Sequence, residues 1–163
     1  MAANPYRLLV ACLASVLATS PALAACPQEL AVYEGADGEG GLEFRGGGAG
    51  MLSEMRLLYE GTEPVTAYLS HDDALDRTVM MLPLNCPEGD VTGEELAACL
   101  VYQGAVYALN GDDPSALPAP GNDAAEKLFL PNLASALWNN PQFGDAGPKD
   151  RPAEIFALSG CQE

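Results

Sequence analysis

Short segments in which apolar and polar residues alternate dominate the first two thirds of this chain. In the clearest of them, residues 53–60, Met55, Leu57 and Tyr59 share one face of an extended strand and charged residues share the other. Three further segments have the pattern of half-buried or fully buried strands: 42–45, 65–70 and 78–84. Glycine, proline and aspartate, which favour turns, separate these segments. The pattern predicts a succession of short antiparallel strands.

A helical period is clearest in the last third of the chain. Pro131 suits the first position of a helix, and the following residues form an apolar stripe made of Leu133, Ala134, Leu137 and Trp138. We therefore expect a helix at about 131–139. A shorter helical turn is expected after Thr92, because Thr92 and Glu95 have the spacing of a capping box.

These elements predict an α+β fold that is mainly antiparallel β, with six to eight short strands and the helix covering one end. A small sandwich or an open barrel is the expected form. Residues 100–109 are rich in strand formers around Gly104, which either turns a hairpin or forms a bulge in one long strand. No repeat or linker divides residues 25–163, so we expect a single globular domain there.

The N-terminus has the organisation of a bacterial secretory signal peptide. Arg7 precedes an apolar run from Leu8 to Ala18, and Ala22-Leu23-Ala24 offers small residues for a signal peptidase. The apolar run is shorter than the ~20 residues that span a membrane, and no second stretch reaches that length. We expect residues 1–24 to be removed and the rest to be periplasmic or secreted.

The charge balance narrows the range of partners. The 163 residues contain 23 Asp and Glu against 7 Lys and Arg, a net charge of −16. Removal of 1–24 takes away one base, Arg7, and no acid, so the mature side chains carry −17. Such a chain does not attract nucleic acid, whose phosphates require Lys and Arg, or the anionic face of a membrane. A basic protein is the partner that this charge favours.

Four cysteines remain after Cys12 leaves with the signal peptide, and an even number in an oxidising compartment predicts two disulfides. Cys86 and Cys99 flank a polar stretch that has the composition of a loop. Cys26 and Cys161 lie near the two ends of the mature chain, which are often close in a domain. We expect Cys86–Cys99 and Cys26–Cys161 bridges. The spacing does not resemble that of a zinc site.

Cys26 also has a second interpretation. Residues 23–26, Leu-Ala-Ala-Cys, fit a bacterial lipobox, so lipidation of Cys26 and anchoring at the outer membrane form an alternative. Lipidation would leave an odd number of thiols in an oxidising space, which favours the bridged form.

Residues that could carry catalysis are few. His71 stands in Ser70-His71-Asp72-Asp73, but neighbours on a strand point to opposite faces, and triads assemble from distant segments. The densest acidic spots do not fit a calcium loop, and no nucleotide or cofactor motif is present. We therefore predict no catalytic, metal or cofactor residues.

The leading hypothesis is an exported, non-catalytic accessory or binding protein. The alternative is a small hydrolase or ligand-binding enzyme centred on His71, Asp72 and Asp73.

Overall fold

The computed structural model of the protein describes residues 25–46, 54–90, 92–111, 113–138 and 140–162. The signal peptide predicted at 1–24 lies outside the described residues. Within the described ranges, no helix has the length and apolar character needed to cross a membrane.

The described chain is mainly antiparallel β structure, as the alternating segments predict, and its strands form one sheet. In chain order the strands are β1 (Ala31–Gly35), β2 (Gly41–Arg45), β3 (Glu54–Leu58), β4 (Val65–Asp72), β5 (Arg77–Pro83), β6 (Leu100–Ala105), β7 (Tyr107–Asn110), β8 (Asp113–Ser115), β9 (Lys127–Phe129) and β10 (Ile155–Cys161). Two short α-helices, α1 (Gly93–Cys99) and α2 (Leu133–Leu137), and two 3₁₀ turns, Gln28–Leu30 and Pro141–Ala146, complete the described elements.

The sheet curls because the continuous segment 100–110 contributes one strand near each end of the sheet. The order of strands is β6-β5-β4-β3-β2-β1-β10-β9-β7-β8. β6 and β7 lie far apart in this order, yet only Val106 separates them in the chain. The first half of the segment pairs with β5 and the second half pairs with β9. A flat sheet cannot satisfy both pairings, so the sheet forms a curled half-barrel.

The inner face of the half-barrel holds the core. Residues from most of the strands are fully buried there, at alternate positions in β1 to β5, and the largest are Tyr33, Phe44, Phe156, Leu42, Met55, Leu57, Met80, Leu82 and Leu128. Each buried Leu, Met or Phe contributes roughly 1.5–3 kcal/mol relative to an exposed one. Slippage of a strand by one residue would turn its buried set towards solvent, so this alternation fixes the register of the sheet.

The structure differs from the sequence prediction in the number of strands and in the extent of the helix. The described residues form ten strands in place of six to eight, because the segment 100–110 divides into β6 and β7 and because β8 occupies a stretch whose composition favours a turn. The helix expected at about 131–139 covers only Leu133–Leu137. Asn132 adopts the left-handed conformation with φ of 64°, which ends any helical path from Pro131. Trp138 has extended backbone and is exposed, so it does not join the buried stripe.

Both disulfides of the structure have the pairing that the loop argument favours. Cys26 is bonded to Cys161, with a sequence separation of 135, and Cys86 is bonded to Cys99, with a sequence separation of 13. A sulfur atom in a bridge is not available for a thioether, so the bridge and the lipidation of Cys26 exclude each other.

We predict that the two bridges contribute unequally to stability. In the chain-entropy model a bridge stabilises by restricting the unfolded chain, by about 5 kcal/mol for the Cys26–Cys161 ring and about 3 kcal/mol for the Cys86–Cys99 ring. Replacing both members of each pair by Ser, one pair at a time, and measuring the free energy of unfolding in urea tests this. Equal losses from the two double variants would contradict the loop-length explanation.

Candidate functional site

His71 lies at the end of the half-barrel where β4 turns into β5. It is opposite Thr78 in the register of the two strands. Side chains alternate between the two faces of a strand, and His71 lies two residues beyond the buried Leu69 and four beyond the buried Ala67. It therefore belongs to the inner face. Together with Phe44, Leu69 and Thr78 it lines a cavity of about 360 Å³. Its side chain is about half exposed, so it stands at the mouth of this cavity.

Of the two carboxylates that lie near His71, only that of Asp73 belongs to the motif Ser70-His71-Asp72-Asp73. Nε2 of His71 is 3.8 Å from Oδ1 of Asp73 and 3.5 Å from Oδ1 of Asp76. Both aspartates are almost completely exposed. Asp72 instead accepts hydrogen bonds from the backbone N–H groups of Ala74 and Leu75, at 3.0 and 3.2 Å, and so closes the turn.

Only part of the set named in the alternative hypothesis, His71, Asp72 and Asp73, is therefore brought together. His71 and Asp73 are brought together, whereas Asp72 is used by the turn and Ser70 belongs to the opposite face of β4. Asp76, which sequence reasoning missed, joins them because a left-handed residue with φ of 47° ends the turn. The only sequence signal for this position was an Asp directly before a strand, because Asp tolerates the left-handed backbone conformation that ends such a turn.

A second residue that sequence reasoning missed, Gln28, lies beside the same cavity. It is the one described polar residue with an almost completely buried side chain. Its Nε2 donates to the hydroxyl of Tyr33 at 3.0 Å, and its Oε1 accepts from the backbone N–H of Ala125 at 3.0 Å. The Tyr33 hydroxyl in turn donates to the carbonyl of Ala125 at 3.0 Å. Burial raises the pKa of Tyr33 to about 12, so it remains a neutral donor.

The segment 117–120 covers the cavity from the side of solvent. Leu117, Pro118 and Pro120 complete its lining, and their side chains make it mostly apolar. The neighbouring residues are tied to the N-terminus, because Gln28 donates its backbone N–H to the carbonyl of Asn122 at 2.9 Å. The cavity is thus bounded by the sheet on one side and by a hydrogen-bonded loop on the other. A small, largely apolar molecule with one polar group would match it.

A second candidate surface is the loop closed by the Cys86–Cys99 bridge, which we name the acidic loop. Glu88, Asp90, Glu94 and Glu95 are all exposed on it. The predicted capping box is present: Thr92 accepts the backbone N–H of Glu95, and Glu95 accepts the backbone N–H of Thr92. The hydrogen bond from the Thr92 backbone is the main reason why the pKa of Glu95 is lowered.

Few of the described carboxylates are neutralised by a base of the same chain. Arg45 lies 3.4 Å from Glu43, and Arg151 lies 3.6 Å from Asp37. No other pair of an arginine or lysine with a carboxylate falls within 4.0 Å in the part of the chain that the structure describes. Within the described residues there is also no group of three or more His, Cys, Asp or Glu that could hold a metal ion.

Comparisons with models of protein families, with curated proteins and with solved structures found no match to this chain. The candidate sites therefore rest on geometry and chemistry alone.

We predict that Gln28 is a structural requirement of the cavity. The Gln28→Leu variant removes the partner of the Ala125 N–H and one partner of the Tyr33 hydroxyl, both of which stay buried. Leaving buried polar groups unsatisfied costs about 1–3 kcal/mol each. The free energy of unfolding in urea measures this loss, and Gln103→Leu, at an exposed position on β6, is the matched control. A similar loss from both variants would show that the network contributes nothing specific.

Proposed function

We propose that the protein is an exported, non-catalytic binding protein that engages a basic partner protein through the acidic loop. The observation that carries this proposal is the distribution of charge. Residues 78–126 contain no Lys, Arg or His, and the acidic loop places its exposed carboxylates within this stretch.

The bridge makes this charge distribution suitable for binding. Cys99 is buried at the end of α1, and its bond to Cys86 holds both ends of the acidic loop to the sheet. The capping box between Thr92 and Glu95 fixes the first turn of α1. The carboxylates are therefore held near one another before a partner arrives, which reduces the ordering cost of binding.

The mutual repulsion of these carboxylates makes the binding of a basic partner favourable. Like charges on one small surface repel one another, and a basic partner replaces that repulsion by attraction. Such complementarity raises association rates by roughly 10- to 1000-fold. The effect extends about 8 Å at physiological ionic strength, so it depends strongly on salt.

Export is supported by the chemistry of the cysteines. All four cysteines of residues 25–163 are paired in the structure. Disulfides persist in the periplasm and outside the cell and are rare in the cytosol. Together with the signal peptide predicted at 1–24, they support a mature protein that begins near Ala25 in an oxidising compartment.

The test compares two triple variants that remove the same charge. Glu88→Gln/Asp90→Asn/Glu94→Gln neutralises the acidic loop and keeps Glu95 for the capping box. Glu34→Gln/Glu54→Gln/Glu126→Gln neutralises three exposed carboxylates elsewhere. The immobilised mature protein is used to capture partners from an envelope extract at low and at high salt, and association rates of the captured partner are then measured.

We expect the loop variant to associate about tenfold more slowly, or more, and the control variant to change by less than about twofold. The partner should be basic and should be lost at high salt. Equal effects of the two variants would show that net charge, not the acidic loop, governs binding. Capture that is insensitive to salt would contradict the proposal.

A second candidate function is the binding of a small molecule at the His71 cavity. The observation that favours it is the position of His71 at the mouth of a mostly apolar cavity of about 360 Å³, a size typical of ligand sites. His71 would supply the polar contact, and the carboxylates of Asp73 and Asp76 lie within 4.0 Å of its Nε2.

Native mass spectrometry of the exported protein tests the second candidate. A bound ligand would add a discrete mass to the wild-type chain, and we expect the His71→Ala variant to lose that mass. Asp123→Ala, at an exposed position outside the cavity, serves as the control. An unmodified mass for the wild-type protein, or an adduct retained by His71→Ala, would contradict this function.

A further inference from the structure

The strand β6 has a partner on one side only. It is the first strand in the sheet order, and β5 is its sole neighbour there. Val106 donates its backbone N–H to the carbonyl of Thr78 at 2.9 Å. This hydrogen bond shows which residues of the preceding strand direct their backbone groups towards β5. Because antiparallel strands exchange hydrogen bonds at every second residue, Gly104 and Tyr102 also bond to β5. The backbone groups of Gln103 and Ala105 therefore point away from the sheet, and Val101 is the extra residue at a register shift between Leu82 and Pro83.

These edge groups have no substitute partner among the described residues. No backbone hydrogen bond from Val101, Gln103 or Ala105 to a loop or a helix occurs there. The helix α2 lies nearest to this edge, but a groove of about 440 Å³ separates the two. The edge strand and Asn132 and Ser135 face each other across this groove. An unpaired edge of this kind is a template for one more strand.

Arg77 lies at one end of the groove and has no anionic partner in the described chain. No carboxylate is within 4.0 Å of its guanidinium, although acids outnumber bases more than threefold. Its Nη1 donates to the hydroxyl of Tyr107 at 3.3 Å, and its Nε is buried without any partner. A buried donor without a partner, in a cation without a counterion, is unfavourable unless a ligand offsets the charge.

We propose that the groove beside β6 binds the C-terminal segment of an extended peptide, which adds a strand to the sheet and places its terminal carboxylate at Arg77. The peptide backbone would satisfy the N–H and C=O groups of Gln103 and Ala105 and extend past Val101. Arginine and carboxylate form strong, charge-assisted hydrogen bonds, which would orient the peptide.

The position of Arg77 favours a terminal carboxylate over an acidic side chain. Val79 pairs with Ala105, so Arg77 lies on β5 two residues beyond the level of Ala105, and it lines the end of the same groove. Side chains of an added strand point to the two faces of the sheet, whereas its terminus continues along the edge. The C-terminus reaches this end only if the peptide runs parallel to β6.

Nuclear magnetic resonance of the disulfide-bonded chain 25–163 tests this proposal directly. The probe is the N-acetylated tetrapeptide Thr-Val-Thr-Val with a free C-terminal carboxylate. We expect it to shift the amide resonances of Val101, Gln103 and Ala105 in a saturable manner. The same peptide with a C-terminal amide, and the Arg77→Gln variant with the free acid, should each bind about tenfold more weakly. Arg56→Gln, on β3, is the matched control.

Two further arms separate strand addition from other modes of binding. A peptide that is N-methylated at alternate amides cannot pair with β6 and should not bind. A spin label at the N-terminus of the peptide should broaden Val101 more than Ala105 if the strands are parallel. The proposal is overturned by an absence of shifts at the edge, by equal binding of acid and amide, or by broadening that is strongest at Ala105. Edge shifts that appear on concentrating the protein alone would show self-pairing of β6 in place of peptide binding.

Discussion

The continuity of residues 100–110 is the constraint on which the rest of this structure depends. One half of this segment belongs to the start of the sheet order and the other half lies near its end. The sheet must therefore curl until both pairings are satisfied, and the curl creates an enclosed inner face. The same constraint leaves β6 unpaired on one side, because the chain leaves the edge at Val106 to join β9. The core, the cavity and the open edge are thus three results of one connection.

Residues 26–28 close the end of the half-barrel at which the cavity lies. Cys26 is bonded to Cys161, and the backbone of Ala124 donates to the carbonyl of Cys26 at 2.7 Å. Gln28 then inserts its amide between Tyr33 and the loop that contains Ala125. A covalent bond and a buried polar network therefore act on the same few residues. This coupling explains how a short irregular segment can cover an apolar cavity with little regular structure of its own.

Local chemistry in the sequence predicts much of this architecture. The alternation of 53–60 identifies a strand with its buried face, the capping box identifies the start of α1, and cysteine positions favour the observed bridges. Long-range geometry is not encoded in any single segment. Gly104 was compatible with a hairpin or with a bulge in one long strand, whereas in the structure it lies inside β6 and the segment divides at Val106 into β6 and β7, which pair with β5 and β9. The mostly apolar run 78–84 predicted a strand buried on both faces, yet Val79 and Met81 are only partly covered because α2 and the loops leave that face open.

The candidate site was harder to predict for the same reason. His71 and Asp73 are neighbours in sequence, but the cavity beside them requires Phe44 from another strand and a loop more than forty residues away. Gln28 looks like an ordinary polar residue until its position between Tyr33 and Ala125 is known.

The surface charge of the protein is strongly negative and opposes folding. Carboxylates on a chain of net charge −16 repel one another and weaken the compact state. The two bridges restrict the unfolded chain and so compensate for part of this repulsion. The exposed acids retain their hydration in the folded protein, whereas the partly buried Arg77 loses part of its own. Among the described residues no carboxylate lies within 4.0 Å of Arg77, although acids outnumber bases in the chain. The guanidinium of Arg77 is therefore suited to an anion that reaches the open edge of β6.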